Sequence, residues 1–286
     1  MKNILLEVYD FIKNPNDQRI KNWSLELNVK YLLYILFFKF IIAALIYFPL
    51  IYFLDKIEPL VYETRIDYKS NTFLQVLVVT SILVPIVEEF IFRYLLRYNK
   101  LFSIIINKDK WNIIFKILVY TSIFIFGFGH SSNYENNSTL FYCILPILIS
   151  TQLIGGVFLT FLRVRFNLLT SIVLHVSWNG LLTIIPFAIT IFEKPYENSS
   201  ENHTLIIEYL NYNTNKLQKF QIDSTSNRIF KIAIEEYSFN HILDSIYQYE
   251  RNRDDILINM KMVSEKGMTK EEFKKLLMEY DKNELQ

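Results

Sequence analysis

The sequence is short of the features that mark secreted, lipid-anchored or nucleic-acid-binding proteins. It has one cysteine, Cys143, in 286 residues. A single thiol closes no intramolecular disulfide, which excludes a disulfide-stapled fold. The place of Cys143 in an apolar run predicts a buried structural thiol. The formal net charge is only +1, which gives no electrostatic basis for a nucleic-acid partner. The N-terminus lacks the unbroken apolar core of a cleavable signal peptide. Glu7 and Asp10 interrupt it and no small-residue cleavage site follows, so the first hydrophobic span is expected to stay in the chain. Neither end carries a myristoylation or prenylation signal. There is no internal repeat and no low-complexity run.

What is present is apolar length. Hydrophobic residues make up 51% of the chain and charged residues 21%, and the mean hydropathy is +0.19. The charges are sparse between Tyr31 and Phe192 and dense, with many lysines, in the last ninety or so residues. A helix needs about 20 apolar residues to cross a bilayer core. Five stretches meet or approach that: Tyr31 to Leu54, Phe73 to Leu96, Trp111 to His130, Thr139 to Leu162 and Leu168 to Phe192. They are longer and more continuously apolar than barrel strands. The expectation is an all-α polytopic membrane protein of about five transmembrane helices with a small α+β C-terminal tail domain. Residues 1–30 form an N-terminal cytoplasmic segment, 31–192 the membrane domain and 193–286 a soluble tail. In the tail, HTLIIEYL and KLQKFQI flank Asn-Tyr-Asn-Thr-Asn and predict a β-hairpin. Thr269 and Glu272 predict a capping box ahead of an amphipathic helix. His203 and His241 are isolated and expected to be surface or packing residues.

Loop charges predict orientation. Lys13, Arg19, Lys21 and Lys30 precede the first span, Arg97, Lys100, Lys108 and Lys110 follow the second, and Arg163 and Arg165 follow the fourth. The third loop, SSNYENNS, has no Lys or Arg. Lys56, Arg65 and Lys69 in the first loop weaken the contrast without reversing it. The N-terminus is therefore expected in the cytoplasm, and five spans would place the tail outside.

Three spans carry polar residues that hydrocarbon penalises. A charged side chain at the centre of a membrane helix costs about 2.5–3.5 kcal/mol on the mildest scale. The second span contains Glu88, Glu89 and Arg93. Glu89 and Arg93 are four residues apart and share a helix face, so they can pair; Glu88 is turned about 100° away and needs partners from other helices. The third span ends in FIFGFGH, with Phe126 and His130 four apart. Gly127 and Gly129 there would let a helix or a substrate backbone come close. The fifth span holds His175 and Asn179, again four apart. With Arg97, Lys116 and Arg165 as interface anchors, the 1.5 Å rise puts Glu88 about 14 Å deep, His175 about 15 Å, and His130 and Asn179 about 21 Å. Lys39 in the first span has no obvious partner and is expected to be structural.

These residues fall into E-E-x-x-x-R, F-x-x-x-H and H-x-x-x-N patterns, on three helices in that order: Glu88-Glu89-Phe-Ile-Phe-Arg93, Phe126-Gly-Phe-Gly-His130 and His175-Val-Ser-Trp-Asn179. The arrangement resembles the CPBP family of Abi or CAAX-protease-like intramembrane endopeptidases, over about residues 73–192. The resemblance implies a hydrolase whose catalytic set is Glu88, Glu89, His130, His175 and Asn179. Glu88 would activate water, His130 would help hold it, and His175 with Asn179 would stabilise the oxyanion. Glu89 and Arg93 would pair and orient the base, with Phe126 beside them. It leaves cofactor chemistry open between a metal-free glutamate mechanism and a single zinc-like ion on Glu88, His130 and His175, which is the metalloprotease reading. The substrate would be a lipidated, prenylated or membrane-embedded peptide among membrane lipids. A composition rich in Asn, Lys, Ile and Tyr suits a bacterial plasma-membrane member. Two rivals are a non-catalytic membrane scaffold or bacteriocin-immunity-type protein, which loss of a motif residue would favour, and a proton-relay transporter, which inverted repeats would favour.

Overall fold

A computed structural model describes residues 4–63, 70–247 and 255–284 of the chain. Arg65 and Lys69 of the first loop lie outside the described residues. Among the described residues, five helical stretches are long and apolar enough to cross a membrane: Leu25–Ile57, Phe73–Arg93, Lys108–Asn133, Thr139–Arg165 and Leu168–Ile191. They match the expected five spans, and they are followed by a small sheet with two helices. The chain divides into two compact units, one of Met1–Arg65 and Val78–Thr183, the other of Ile66–Leu77 and Ile184–Gln286.

In the first unit the fourth span is the central post. Half of its most apolar window is buried, against 11–28% for the other four. It consists of α8 (Thr139–Leu148), which carries an internal Pro146, and α9 (Ser150–Arg165). The third span, α7 (Lys108–Gly129), approaches α9 closely because glycines face it. A Cβ on Gly127 would lie 2.3 Å from Leu153 Cδ2, and one on Gly156 would lie 3.2 Å from Phe126. Gly129 meets no other helix, since a Cβ there would find nothing within 4 Å. Cys143 is also a correction: it is exposed. An apolar run in a soluble protein signals core, but on a membrane helix the same run faces acyl chains.

The N-terminal helix α1 (Ile4–Lys13) buries Ile4, Val8 and Phe11 on one face. Phe11 meets Phe161 of α9 edge-on at 5.7 Å, and Tyr31 of α2 (Leu25–Ile42) stacks on the same ring at 6.2 Å. Asp17, just after α1, accepts from the Tyr98 backbone N–H at 2.8 Å and the Trp111 Nε1 at 3.2 Å, and it pairs with Arg97 at 3.2 Å. Burial pushes the Arg97 guanidinium down to about 10, with Asp17 opposing the shift. Arg165 donates to Gln18 O at 2.6 Å. These contacts gather the N-terminal segment, the second loop and the fourth loop at one end of the bundle. At the other end the first and third loops pair: Glu63 N–H donates to Asn133 O and Glu135 N–H to Val61 O, each at 2.9 Å. The grouping is that of an up-and-down bundle.

Two spans contain a widened turn. The first passes from α2 through a π-helical turn at Ala43–Tyr47 into α3 (Phe48–Ile57). The second passes from α4 (Phe73–Val78) through Val79–Leu83 into α5 (Val84–Arg93). Each widened turn has a proline two residues after it, Pro49 or Pro85. Proline removes a donor from the helical ladder, and a π-turn is a common adjustment to such a break. A short helix α6 (Lys100–Ile105) precedes α7, and α10 (Leu168–Ile191) is the fifth span.

The second unit holds a five-stranded antiparallel sheet: β1 (Tyr196–Ser199), β2 (His203–Leu210), β3 (Lys219–Ser224), β4 (Ile229–Ser238) and β5 (Leu257–Met268), in the order β1-β2-β5-β4-β3. The expected hairpin between β2 and β3 does not form, because β2 pairs with β1 and β5, and β3 pairs with β4. The reason lies in β5, whose Ile258, Met260 and Met262 are fully buried, which demands a central position; β3 is almost wholly exposed and stays at the edge. Helices α11 (Phe239–Tyr247) and α12 (Lys270–Glu284) supply Phe239, Ile242, Leu243, Phe273, Leu277 and Tyr280 to the core of this sheet. The expected capping box is present. Thr269 N–H donates to Glu272 Oε2 at 2.8 Å, and Glu272 N–H donates to Thr269 Oγ1 at 3.2 Å. Phe73 stacks on Phe187 at 3.8 Å in this unit, with Tyr212 edge-on to both. The His203 ring bonds within its own hairpin, to Ser200 and Asn198.

Truncating the fully buried Phe273 to alanine is expected to cost about 3–5 kcal/mol, read as lost amide-exchange protection in β4 and β5. The backbone N–H of Thr269 holds the Glu272 carboxyl below the usual carboxylate range. A depressed carboxylate contributes stability above its unfolded value and loses it as pH falls through the folded one. Acidification below the ordinary carboxylate range should therefore fray the start of α12 first, seen as faster exchange there, and Glu272→Gln should remove this pH dependence.

Candidate active site

The site is built where α5 and α10 lie side by side. Glu89 is fully buried and both of its oxygens are engaged. Oε1 accepts from Arg93 Nη1 at 2.9 Å and from His175 Nδ1 at 3.0 Å, and Oε2 accepts from Ser171 Oγ at 2.7 Å. The expected pairing of Glu89 with Arg93 one turn later is therefore present, and it carries no solvent exposure on either side chain. Phe126 covers the guanidinium at 3.9 Å, a cation–π contact strengthened by desolvation. Arg163 donates to the carbonyls of Arg93 and Tyr94 at 2.8 and 2.9 Å, placing a cation at the C-terminal end of α5.

Glu88 is different. Its side chain retains 25% exposure, and its Oε2 lies 3.5 Å from His175 Nε2. His175 thus stands between the two carboxylates, with Nδ1 on the buried one and Nε2 toward the open one. His130, at the end of α7, has Nδ1 2.8 Å from Phe126 O. Its ring meets Phe126 edge-on at 4.9 Å, and His175 meets the same phenyl ring at 5.7 Å. Phe126 therefore gathers both imidazoles and Arg93 around one ring.

Asn179 donates through Nδ2 to Thr80 O at 3.2 Å. In the widened turn Val84 N–H bonds Val79 O, five residues back. The next donor in that register would be Pro85, which has no N–H. Asn179 bonds the Thr80 carbonyl beside this break in the ladder, so the π-turn, Pro85 and Asn179 meet at one place. Thr183 lies 3.1 Å from Ser81 across the same interface.

All five expected site residues lie in the first unit. Sequence reasoning missed Ser171, Thr80, Ser81 and Thr183. A signal was available: Ser171, His175, Asn179 and Thr183 recur every four residues, a polar stripe along α10 that an apolar span does not carry by chance. The candidate metal ligands are Glu88, His130 and His175. Glu88 and His175 approach as two ligands of one ion would, but among the described residues no third His, Cys, Asp or Glu completes a set. The metalloprotease expectation therefore has no support among the described residues.

Residues 70–181 match the family model described as type II CAAX prenyl endopeptidase Rce1-like. The match contains every motif residue, from Glu88 to Asn179. This segment is similar to the CAAX protease-like family. No curated protein and no solved structure matches the chain. With five apolar spans and a CAAX protease-like core, the chain is an integral membrane protein. The CAAX protease-like segment leaves out the first span and most of the second unit.

Removing one partner of a buried ion pair strands the other charge, at a cost of about 3–5 kcal/mol, whereas an interhelical hydrogen bond in a membrane is worth about 1–2 kcal/mol. Arg93→Met is therefore expected to lower the unfolding temperature in micelles much more than Ser171→Ala. Equal shifts would contradict the central place given to the Glu89–Arg93 pair.

Proposed function

We propose that the protein is an intramembrane endopeptidase that hydrolyses peptide bonds of lipidated or membrane-embedded peptides with water activated by Glu88. One observation carries this reading: of two adjacent carboxylates, one is sealed off holding an imidazole, and the other is open and faces that imidazole at 3.5 Å. That is a division of labour between a positioning group and a base.

In this mechanism Glu88 takes a proton from water, and the water oxygen attacks the scissile carbonyl. His130 holds the attacking water. His175, with Nδ1–H given to Glu89, presents a protonated Nε2 to the oxyanion, and the second N–H of Asn179 does the same. Fixed donors in a water-poor site are worth more than donors in bulk water. The proton on Glu88 then passes to the leaving amine as the tetrahedral carbon collapses, which restores the carboxylate. Glu89 and Arg93 fix the imidazole and do not touch the substrate. The proposed arrangement of the chain keeps residues 1–30 at the cytoplasmic face, 31–192 as the membrane domain and 193–286 as the tail.

Glu88→Gln is expected to reduce cleavage of a membrane peptide by about 10²- to 10⁴-fold, the usual weight of a general base, with the unfolding temperature unchanged. His130→Ala should also abolish cleavage in a folded protein. Retained turnover in either variant, measured in proteoliposomes, overturns the assignment.

A further inference from the structure

Lys39 belongs to the first span, outside the segment that matches the family. It continues the buried stripe of α2 after Tyr31 and Ile35, and it is only 7% exposed. It does not snorkel toward an interface. Its Nζ lies 4.3 Å from the centroid of the Trp178 ring, and among the described residues no oxygen accepts a hydrogen bond from it. An ammonium has three donors and a ring face satisfies none of them as an oxygen would. Lys39 lines a hollow with Ile42, Ala43, Thr151, Ile154 and Trp178. Gly155 leaves room beside the amine: a Cβ there would come within 3.4 Å of Nζ.

The hollow adjoins the candidate active site. Trp178 directly precedes Asn179 and follows His175 by three residues. Lys39 is eight residues past Tyr31, where the membrane domain begins, about 12 Å deep at 1.5 Å per residue, close to the depths reckoned for Glu88 and His175.

We propose that Lys39 and Trp178 form a subsite that binds a carboxylate of the peptide substrate, at its C-terminus or on an acidic side chain. This rests on the endopeptidase reading and adds to it what the enzyme recognises. One ammonium amid apolar walls and a single hydroxyl matches a single negative charge. A phosphate would bring more charge and more acceptor oxygens than the hollow can meet. The hollow admits little more than a water-sized group, so it would take the carboxylate itself while the residue that carries it stays outside.

The test uses three apolar decapeptides of one sequence in micelles: a free C-terminal acid, the C-terminal amide, and the amide with one internal glutamate. Binding to the full-length Glu88→Gln protein is followed by the emission of Trp178, assigned with a Trp178→Phe control, and cleavage by the unmodified chain is measured in parallel. At least one carboxylate peptide should bind about tenfold or more tightly than the plain amide. Which of the two does so identifies the carboxylate's source. Lys39→Met should bring that ratio to about one, and Lys39→Arg should keep most of it. A ratio near one in the parent protein, or an undiminished ratio in Lys39→Met, overturns the proposal. If Lys39→Met does not fold, Gly155→Val, which crowds the amine, is expected to lower the ratio, and no change there overturns the proposal. An emission change that follows phosphatidylglycerol content in nanodiscs, with no preference among peptides, would assign the hollow to a lipid phosphate and likewise overturn it. Preferential binding without cleavage of any peptide would sink the endopeptidase reading and leave the subsite standing.

Discussion

A carboxylate enclosed between membrane helices must find donors in the protein, because hydrocarbon offers none. Glu89 has three, from Arg93, His175 and Ser171. Each donor commits something larger than itself. Arg93 brings in the phenyl ring of Phe126 and, through its carbonyl, Arg163 of the central span. His175 and Ser171 fix the rotation of the fifth span about its axis. The desolvation cost of the pair is high, and the three donors tie the second and fifth spans to one carboxylate. Here that arrangement leaves Glu88 with a defined outlook on His175.

A second constraint acts half a span away and has the same form. Pro85 denies the helix a donor, the turn before it widens, and a carbonyl at Thr80 falls to Asn179. Ser81 and Thr183 extend the contact. The second and fifth spans are thus joined by a ladder of polar contacts along one stripe of α10. Such a ladder acts in lipid as an apolar seam does in water, since apolar faces gain little by leaving acyl chains for each other.

Much of the membrane fold was legible from sequence because the bilayer imposes a length that can be counted. The five spans, the Glu89–Arg93 pair and the three motif-bearing helices follow from run length and a spacing of four. What was not legible depended on which face each helix turns inward. Cys143 sits in an apolar run and faces outward. Gly127 and Gly129 look equivalent, but only Gly127 meets another helix. Ser171 passes for an ordinary membrane serine until Glu89 is seen opposite. In the tail, β2 and β3 are neighbours in sequence with a turn-like linker between them, and a strand from much farther along displaces that pairing because its buried methionines need the centre of the sheet.

Sequence alone settled that the chain crosses a bilayer, how many times, and which side chains are too polar to remain there without partners. These are additive properties of single helices, set by transfer cost and rise per residue. Tertiary structure decided which of two adjacent glutamates is sealed and which is open, that both imidazoles border one phenyl ring, and that Lys39 faces a hollow beside Trp178 instead of lipid. Those outcomes depend on helix rotation and on the competition of several donors for one buried carboxylate, and no single span contains that information.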